Sequence, residues 1–365
     1  MKNKIISLIL TFSMLFPTFS VVTAFAAESY KDSKTAVIEM SPTGMVRDNM
    51  SLRTAIAGVE NGTEHVIVEV DGGKYNLSQG LVIDSTILGS KKLTIKAKDG
   101  EKPEFTGTIP VDLTKFEAVT DKSILARLTP SAAPYIGQID LGALGFTKRQ
   151  LDFFQEHKSC MSAFPYGVFL NDKKEMLARF PNSGYNRFEH IIDGGGEARY
   201  GTRPGEGAIW QVMESNVKRW GQAENPYLEG FFGVEFFSEW AKIANIDAEK
   251  QILTMDDWTQ YGIHGDHKWA ITNLVEEIDI PGEWYVDLDT LIMYYYPRYP
   301  INVETDVLEI SLLKDTMLTL NNVDNVTIDG ITFKNSDGDG INVYSCSDID
   351  IKNCEIANLT RVFQT

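Results

Sequence analysis

The stretch LTLNNVDNVTIDGITFKNSDGDG, residues 318–340, is followed directly by INVYSCSDIDIKNCEIANLTRVF, residues 341–363, and the two match at a constant offset of 23. Apolar positions recur as apolar positions, and polar turn positions recur as Asn, Asp or Ser. Within each stretch the apolar residues come in pairs spaced by two, which is typical of β-strands. A period of this length indicates stacked repeats. The sequence therefore predicts an all-β fold, a right-handed parallel β-helix in which coils stack about 4.8 Å apart.

Two asparagines mark predicted corners of these coils. Asn325 and Asn335 lie where side-chain amides can bond to neighbouring backbone and form ladders between coils. A leucine-rich repeat of similar length is disfavoured, because neither its leucine ladder nor its helical half-turn is visible.

The rest of the chain predicts a division into four segments. Short β-rich runs broken by Gly, Asp and Pro follow a short helix at 51–59, and all six tryptophans fall in a later segment without the 23-residue period. We predict a signal peptide at 1–26, an N-terminal cap and first coils at 27–125, an inserted antiparallel β-sandwich-like domain at 126–300, and incomplete β-helix coils at 301–365.

The N-terminus predicts export. Lys2 and Lys4 precede an apolar run that ends in Ala24-Phe25-Ala26, the pattern of a secretory signal peptide with cleavage after Ala26. A membrane anchor is the alternative, but Pro17 and the small-residue site favour removal. No later apolar stretch reaches about 18 residues, so we expect a secreted, extracellular protein without a membrane span.

Composition restricts the partners and the redox chemistry. The chain has 365 residues, 43% of them hydrophobic and 23% charged, which excludes a wholly disordered protein. A formal net charge of −17 argues against nucleic acid and anionic membranes as partners. Export permits disulfides, but Cys160, Cys346 and Cys354 stand at apolar positions and are predicted to be buried free thiols.

Four stretches carry a resemblance to a known family. They are VIVEVDGGKYNLSQGLVI (66–83), LTIKAKDGEKPEFTG (93–107), MLARFPNSGY (176–185) and AITNLVEEIDIPGEWYVDLDTLIMYYYP (270–297). In their order and spacing they resemble the parallel β-helix glycoside hydrolases of families 120 and 141, over about residues 60–360. The resemblance implies a secreted protein that hydrolyses glycosidic bonds in a polysaccharide or other glycan. It also implies that the catalytic carboxylates lie on further coils, so that this chain is a C-terminally truncated member.

Asp337 and Asp339, in NSDGDGI, are the candidate catalytic residues within the chain. Glycoside hydrolysis uses two carboxyl groups about 5–9.5 Å apart, and residues two apart on a strand are about 6.6 Å apart on one face. The same two oxygen-rich side chains could instead bind Ca²⁺, which would be the only cofactor. Gly338 and Gly340 favour the third interpretation, a solvated turn.

Two further groups of residues are candidate ligand sites. Trp258 and Trp269 lie near turn residues and are predicted to be exposed, where an aromatic face can stack on a sugar ring, although tryptophans more often fill a sandwich core. His264 and His267 flank Asp266 in HGDH, but no further metal ligands occur at a matching spacing.

The leading functional hypothesis is therefore a secreted polysaccharide-degrading protein. One alternative is a non-catalytic carbohydrate-binding or cell-surface β-helix protein. Another is a polysaccharide lyase, which the local excess of acidic residues disfavours, because lyases use basic residues to neutralise uronate groups.

Overall fold

A computed structural model describes residues 34–152, 159–160, 166–360 and 362–364. Short β-strands are the predominant regular structure among these residues, and the helices are few and short, which confirms the predicted all-β class. The predicted signal peptide and its cleavage site at Ala26 lie outside the described residues. Within the described ranges, no helix is long and apolar enough to cross a membrane.

The first part of the chain forms six strands and two helices. They are β1 (Thr35–Met40), α1 (Asn49–Ala57), β2 (His65–Val70), β3 (Gly73–Asn76), β4 (Leu81–Asp84), α2 (Ser85–Leu88), β5 (Lys92–Ala97) and β6 (Pro103–Thr106). Helix α1 begins after Asp48, whose side chain accepts from the backbone N–H of Ser51 in a capping box. Its Leu52 and Ile56 are buried, as the helical spacing predicts.

The middle part contains eighteen strands separated by turns and short helices. They are β7 (Thr108–Val111), β8 (Glu117–Ala118), α3 (Lys122–Arg127), β9 (Gly137–Asp140), α4 (Lys148–Leu151), β10 (Ser159–Cys160), β11 (Val168–Leu170), β12 (Lys173–Lys174), β13 (Met176–Leu177), β14 (Arg179–Phe180), β15 (Asn186–Arg187), β16 (His190–Asp193), β17 (Ile209–Gln211), β18 (Tyr227–Phe231), β19 (Glu239–Asp247), β20 (Ile252–Met255), β21 (Lys268–Thr272), β22 (Glu283–Asp287), β23 (Ile292–Tyr295) and β24 (Leu308–Ser311). Single turns of 3-10 helix lie at Leu113–Lys115, Ala133–Tyr135 and Val275–Glu277, and a longer one at Ser215–Gln222.

The last part contains seven strands. They are β25 (Leu318–Asn321), β26 (Asp324–Asp329), β27 (Thr332–Lys334), β28 (Ile341–Tyr344), β29 (Ser347–Lys352), β30 (Glu355–Ala357) and β31 (Phe363–Gln364).

The first and last parts share three parallel sheets. Their strand orders are β1-β2-β5-β26-β29, β3-β6-β27-β30 and β4-β25-β28-β31. Residues that the sequence places 23 apart are direct partners in all three, as in Leu318↔Ile341, Val326↔Ile349 and Phe333↔Ile356. Each sheet directs every second side chain into one apolar core, because strand side chains alternate between faces.

Left-handed backbone recurs at the corners between these strands. Asn335 and Asn358 both have φ near +55°, and the side-chain amide of Asn358 donates to the Asn335 side-chain oxygen at 2.8 Å. Asn325 and Asp348 repeat the same conformation at the same offset. Asn and Asp adopt this backbone region more readily than other side chains with a Cβ atom, which explains the polar residues at the recurring positions. The amide ladder predicted for Asn335 is present.

The middle part forms three further sheets that contain antiparallel pairs. The largest has nine strands, with β14-β21-β18-β19-β20-β17-β16 as its main path and β10 and β15 paired beside it. The others have the orders β12-β11-β24-β7 and β13-β22-β23-β9-β8. After β6 the chain leaves the parallel sheets through β7, and it returns to them after β24. Strands β7 and β24 are antiparallel neighbours, so the chain leaves and returns at adjacent positions.

The prediction of buried free thiols is confirmed for the free state of two cysteines but not for their burial. Cys346 and Cys354 are free, but both are half-buried, so the prediction of complete burial is wrong for them. They lie beside the outermost strands of the described parallel sheets, where less chain covers them. The side chain of Cys160 lies outside the described residues.

Candidate functional site

The segment that connects β27 to β28 contains both predicted catalytic aspartates. It is a series of bends, so the extended geometry that would place Asp337 and Asp339 on one strand face is wrong. The solvated turn is also wrong, because Asn335, Ser336 and Asp339 are buried. The reason is that the middle part of the chain packs over this corner. A Cβ atom at Gly338 would lie 1.8 Å from the carbonyl oxygen of Asp315, so only glycine fits there.

Asp337 is half-buried and held by two neighbouring segments. Its Oδ1 accepts from the backbone N–H of Gly167 at 2.8 Å, and its own N–H donates to the Ser311 hydroxyl at 2.9 Å. Its Oδ2 is shielded from solvent and has no hydrogen-bond partner within the described residues. Burial raises the pKa of Asp337 to about 7, against its hydrogen bond to Gly167. The carboxyl group can therefore hold a proton near neutral pH.

Glu309 is a second buried carboxyl group near this corner. It lies two residues before Ser311 on β24, so both side chains leave the strand on the same face. Lys74 Nζ is 2.6 Å from each of its carboxylate oxygens, and the Thr108 hydroxyl donates to it at 2.9 Å. The lysine compensates the buried charge, because an unpaired carboxylate would be costly there.

Sequence reasoning missed Glu309, although a signal was available. All four residues of β24 are buried, so a lone acidic residue inside an apolar strand needs a partner that the sequence cannot identify. The partner, Lys74, is 235 residues away along the chain.

The two carboxyl groups have environments that differ in kind. Asp337 lies in a shielded position that favours its neutral form, whereas Glu309 forms an ion pair with Lys74 at 2.6 Å. In the described structure the oxygen of Asp337 that would carry the proton of the neutral form is shielded from solvent.

The metal hypotheses gain no support from the described residues. Among these residues, no group of three or more His, Cys, Asp or Glu side chains is arranged to hold a metal ion. This applies to Ca²⁺ at Asp337 and Asp339 and to the HGDH segment. The His264 and His267 rings are 6.0 Å apart, and His264 Nε2 lies 3.7 Å from a carboxylate oxygen of Glu197.

The predicted exposure of Trp269 is wrong. Trp269 is only 2% exposed, because it lies on β21 and packs against Phe188 and Trp210 in the core of the nine-stranded sheet. It cannot stack on a sugar in this structure. Trp258 is half-buried, in the turn that follows β20. The sandwich-core interpretation therefore holds for Trp269.

Comparisons with known proteins define the fold class. No family model matches this chain, and no curated protein matches it. A solved structure named glycoside hydrolase matches with a TM-score of 0.60 and 13% sequence identity, over 88% of this chain and 63% of that chain. A structure of XylC in complex with xylose matches with a TM-score of only 0.34 and 12% identity, over 89% of this chain and 42% of that chain. The first likeness shows a glycoside-hydrolase-like fold, of which this chain spans less than two thirds.

Proposed function

We propose that this protein acts on polysaccharides and that its reaction is the hydrolysis of glycosidic bonds. The observation that carries the proposal is Asp337, whose shielded and unpartnered Oδ2 and raised pKa suit a proton donor. The shared fold with a glycoside hydrolase supports the choice of reaction. In that reaction an acid protonates the leaving oxygen while the bond between that oxygen and the anomeric carbon breaks. The oxygen of a water molecule bonds to the anomeric carbon, and the water's proton passes to a second carboxylate.

In this proposal Asp337 is the general acid. Its Oδ2 is shielded in the described structure, so the surrounding segments must separate before its proton passes to the glycosidic oxygen. The Gly167 N–H then stabilises, through Oδ1, the carboxylate that remains. Ser311 fixes the backbone of Asp337 and is therefore a positioning residue. Glu309 lies on the same strand as Ser311 and is held by its ion pair with Lys74 on β3.

We also infer the architecture that presents this corner. The three parallel sheets, their constant offset of 23 and their left-handed corners support a right-handed parallel β-helix. The antiparallel sheets of the middle part support an inserted sandwich-like domain, for which 126–300 remain the predicted bounds. Secretion is a proposal from the N-terminal pattern alone. Sequencing the N-terminus of exported protein tests it, with Ala27 expected as the first residue.

The test of the hydrolase proposal is the release of reducing sugar from xylan, fucosylated glycans and pectin. We expect release by the unmodified protein and a loss of about 100-fold or more in Asp337→Asn, because general acid catalysis contributes that much. Asp315→Asn, at an exposed position on a neighbouring segment, is the matched control. The proposal fails if no substrate is cleaved, or if Asp337→Asn cleaves as well as the control.

The same assay separates the alternative functions. Retention on immobilised glycan without any turnover would identify a non-catalytic binding protein. Products that absorb ultraviolet light, because β-elimination leaves a double bond, would identify a lyase.

A further inference from the structure

An aromatic cluster lies on the middle part of the chain, in three segments that the proposed function does not use. It consists of Tyr200, Phe236, Phe237 and Tyr261. The rings of Tyr200, Phe236 and Phe237 surround that of Tyr261, with centroids at 6.3, 6.1 and 5.4 Å and interplanar angles of 72°, 73° and 80°. Phe236 is 80% exposed and Tyr200 is 68% exposed, so both rings offer open faces to solvent.

The backbone beneath the cluster is held from both sides. Both carboxylate oxygens of the buried Glu239 accept from the backbone N–H of Gln260, at 3.2 and 3.0 Å. Arg199 N–H donates to the Gln260 carbonyl at 2.9 Å, which fixes the segment that carries Tyr200. A Cβ atom at Gly233 would lie 2.5 Å from the carbonyl oxygen of Tyr261, so only a glycine permits this approach. The rings therefore stand on a preorganised support, which reduces the entropy lost on binding.

Polar groups border the rings. Glu197 and His264 approach within 3.7 Å of each other beside Tyr261, and both keep exposed surface. The nearby cations Arg203 and Lys268 are already paired with carboxylates, Arg203 with Asp193 and Glu206 and Lys268 with Glu235. The exposed Arg199 is outnumbered by these acidic side chains, so the surroundings disfavour a polyanion.

We propose that the aromatic cluster is a binding site for a neutral glycan chain, separate from Asp337. Aromatic faces pack against the apolar faces of sugar rings, and the bordering carboxylate and imidazole can bond to hydroxyl groups. This inference rests on the proposed function for its substrate class. In this proposal the cluster binds a second part of the polymer. The segment that follows Trp258 supports it through the backbone of Gln260, and not through the tryptophan stacking predicted from sequence.

The test measures binding of xylohexaose, cellohexaose and mannohexaose by calorimetry, with an oligogalacturonate of equal length as the anionic comparison. The full chain carries Asp337→Asn in all samples so that the probe is not consumed. We expect at least one neutral probe to bind, and Phe236→Ala and Tyr200→Ala each to weaken that binding about fivefold. Phe236→Trp should restore it, since the aromatic face is kept. Tyr135→Ala, at a 63% exposed tyrosine outside the cluster, is the matched control.

Three results would overturn the inference. The first is equal binding by Phe236→Ala, Tyr200→Ala and the control Tyr135→Ala. The second is binding of the oligogalacturonate alone. The third is loss of self-association in Phe236→Ala without loss of glycan binding, which would identify the cluster as a contact between copies of the chain. Sugar release by the unmodified protein is measured separately. Absence of cluster-dependent binding would therefore leave the hydrolase proposal intact, and absence of sugar release would not affect the binding measurement.

Discussion

Replacement of Asp337 by asparagine should change how the stability of the protein depends on pH. In the folded protein burial raises the pKa of this carboxyl from 3.8 to about 7. The folded state therefore binds the proton more tightly than the unfolded chain between about pH 4 and pH 7. Because of this difference, the free energy of unfolding falls as the pH rises through that window and is constant outside it.

The size of the effect follows from the same values. A difference of one pKa unit corresponds to about 1.4 kcal/mol. The rise of the Asp337 pKa from 3.8 to about 7 therefore changes the free energy of unfolding by at most about 4 kcal/mol over the whole window. Asparagine has no proton to lose and its oxygen can still accept from the Gly167 N–H. Any cost of its amide group applies at every pH and cancels when two pH values are compared.

The assay is denaturant unfolding at pH 4.5 and pH 8 of the unmodified protein, Asp337→Asn and the control Asp315→Asn. Burial also raises the pKa of Glu277 to about 7 and of Glu283 to about 8, so the unmodified protein loses stability from these groups over the same range. That loss is common to all three proteins. We expect Asp337→Asn to lose less stability than the other two, by up to about 3 kcal/mol, because pH 4.5 lies within the window and the full difference is not sampled. Equal losses in all three proteins would refute the burial argument for Asp337.

Substitutions at three further positions test the fold by denaturant unfolding. Phe105→Ala should cost about 3–5 kcal/mol, because Phe105 is fully buried between Tyr75 and Phe333, at 4.6 and 5.6 Å; a cost below about 1 kcal/mol would contradict this packing. Asn335→Gly should cost about 1–3 kcal/mol through loss of the amide ladder, and Asn335→Ala about 1 kcal/mol more because of its left-handed φ; the reverse order would exclude the backbone contribution. Gly338→Ala should cost about 1–3 kcal/mol through its clash with the Asp315 carbonyl, whereas the control Gly265→Ala, which has room for a Cβ atom, should cost little.

The pairing of residues 318–340 with 341–363 could be predicted to the residue, because its register follows from the constant offset of 23, as between Leu318 and Ile341. The pairing of the same strands with β4, β5 and β6 could not, because the middle part of the chain that separates them has no such period. The corner at Asn335 was also predictable, because few residue types tolerate its backbone.

The candidate site could be predicted only as a pair of aspartates. Whether Asp337 is solvated depends on Gly167, which is 170 residues away along the chain. A repeat in the sequence cannot predict this contact, because Gly167 belongs to the middle part of the chain, where the 23-residue period is absent. The predicted exposure of Trp269 was wrong for the same reason. The residues near it in sequence indicate a turn, whereas its neighbours in space are Phe188 and Trp210.

The long excursion between β6 and β25 also sets the order in which the protein can be completed. Strands β5 and β6 receive their partners β26 and β27 only after the ribosome has produced the intervening chain of more than 200 residues. At about 5–20 residues per second this interval is roughly 10–40 s. During that time the edges of both strands stay open to pairing with other chains. The yield of native protein should therefore depend on translation speed and on factors that shield nascent strand edges, more than on the stability of the finished fold.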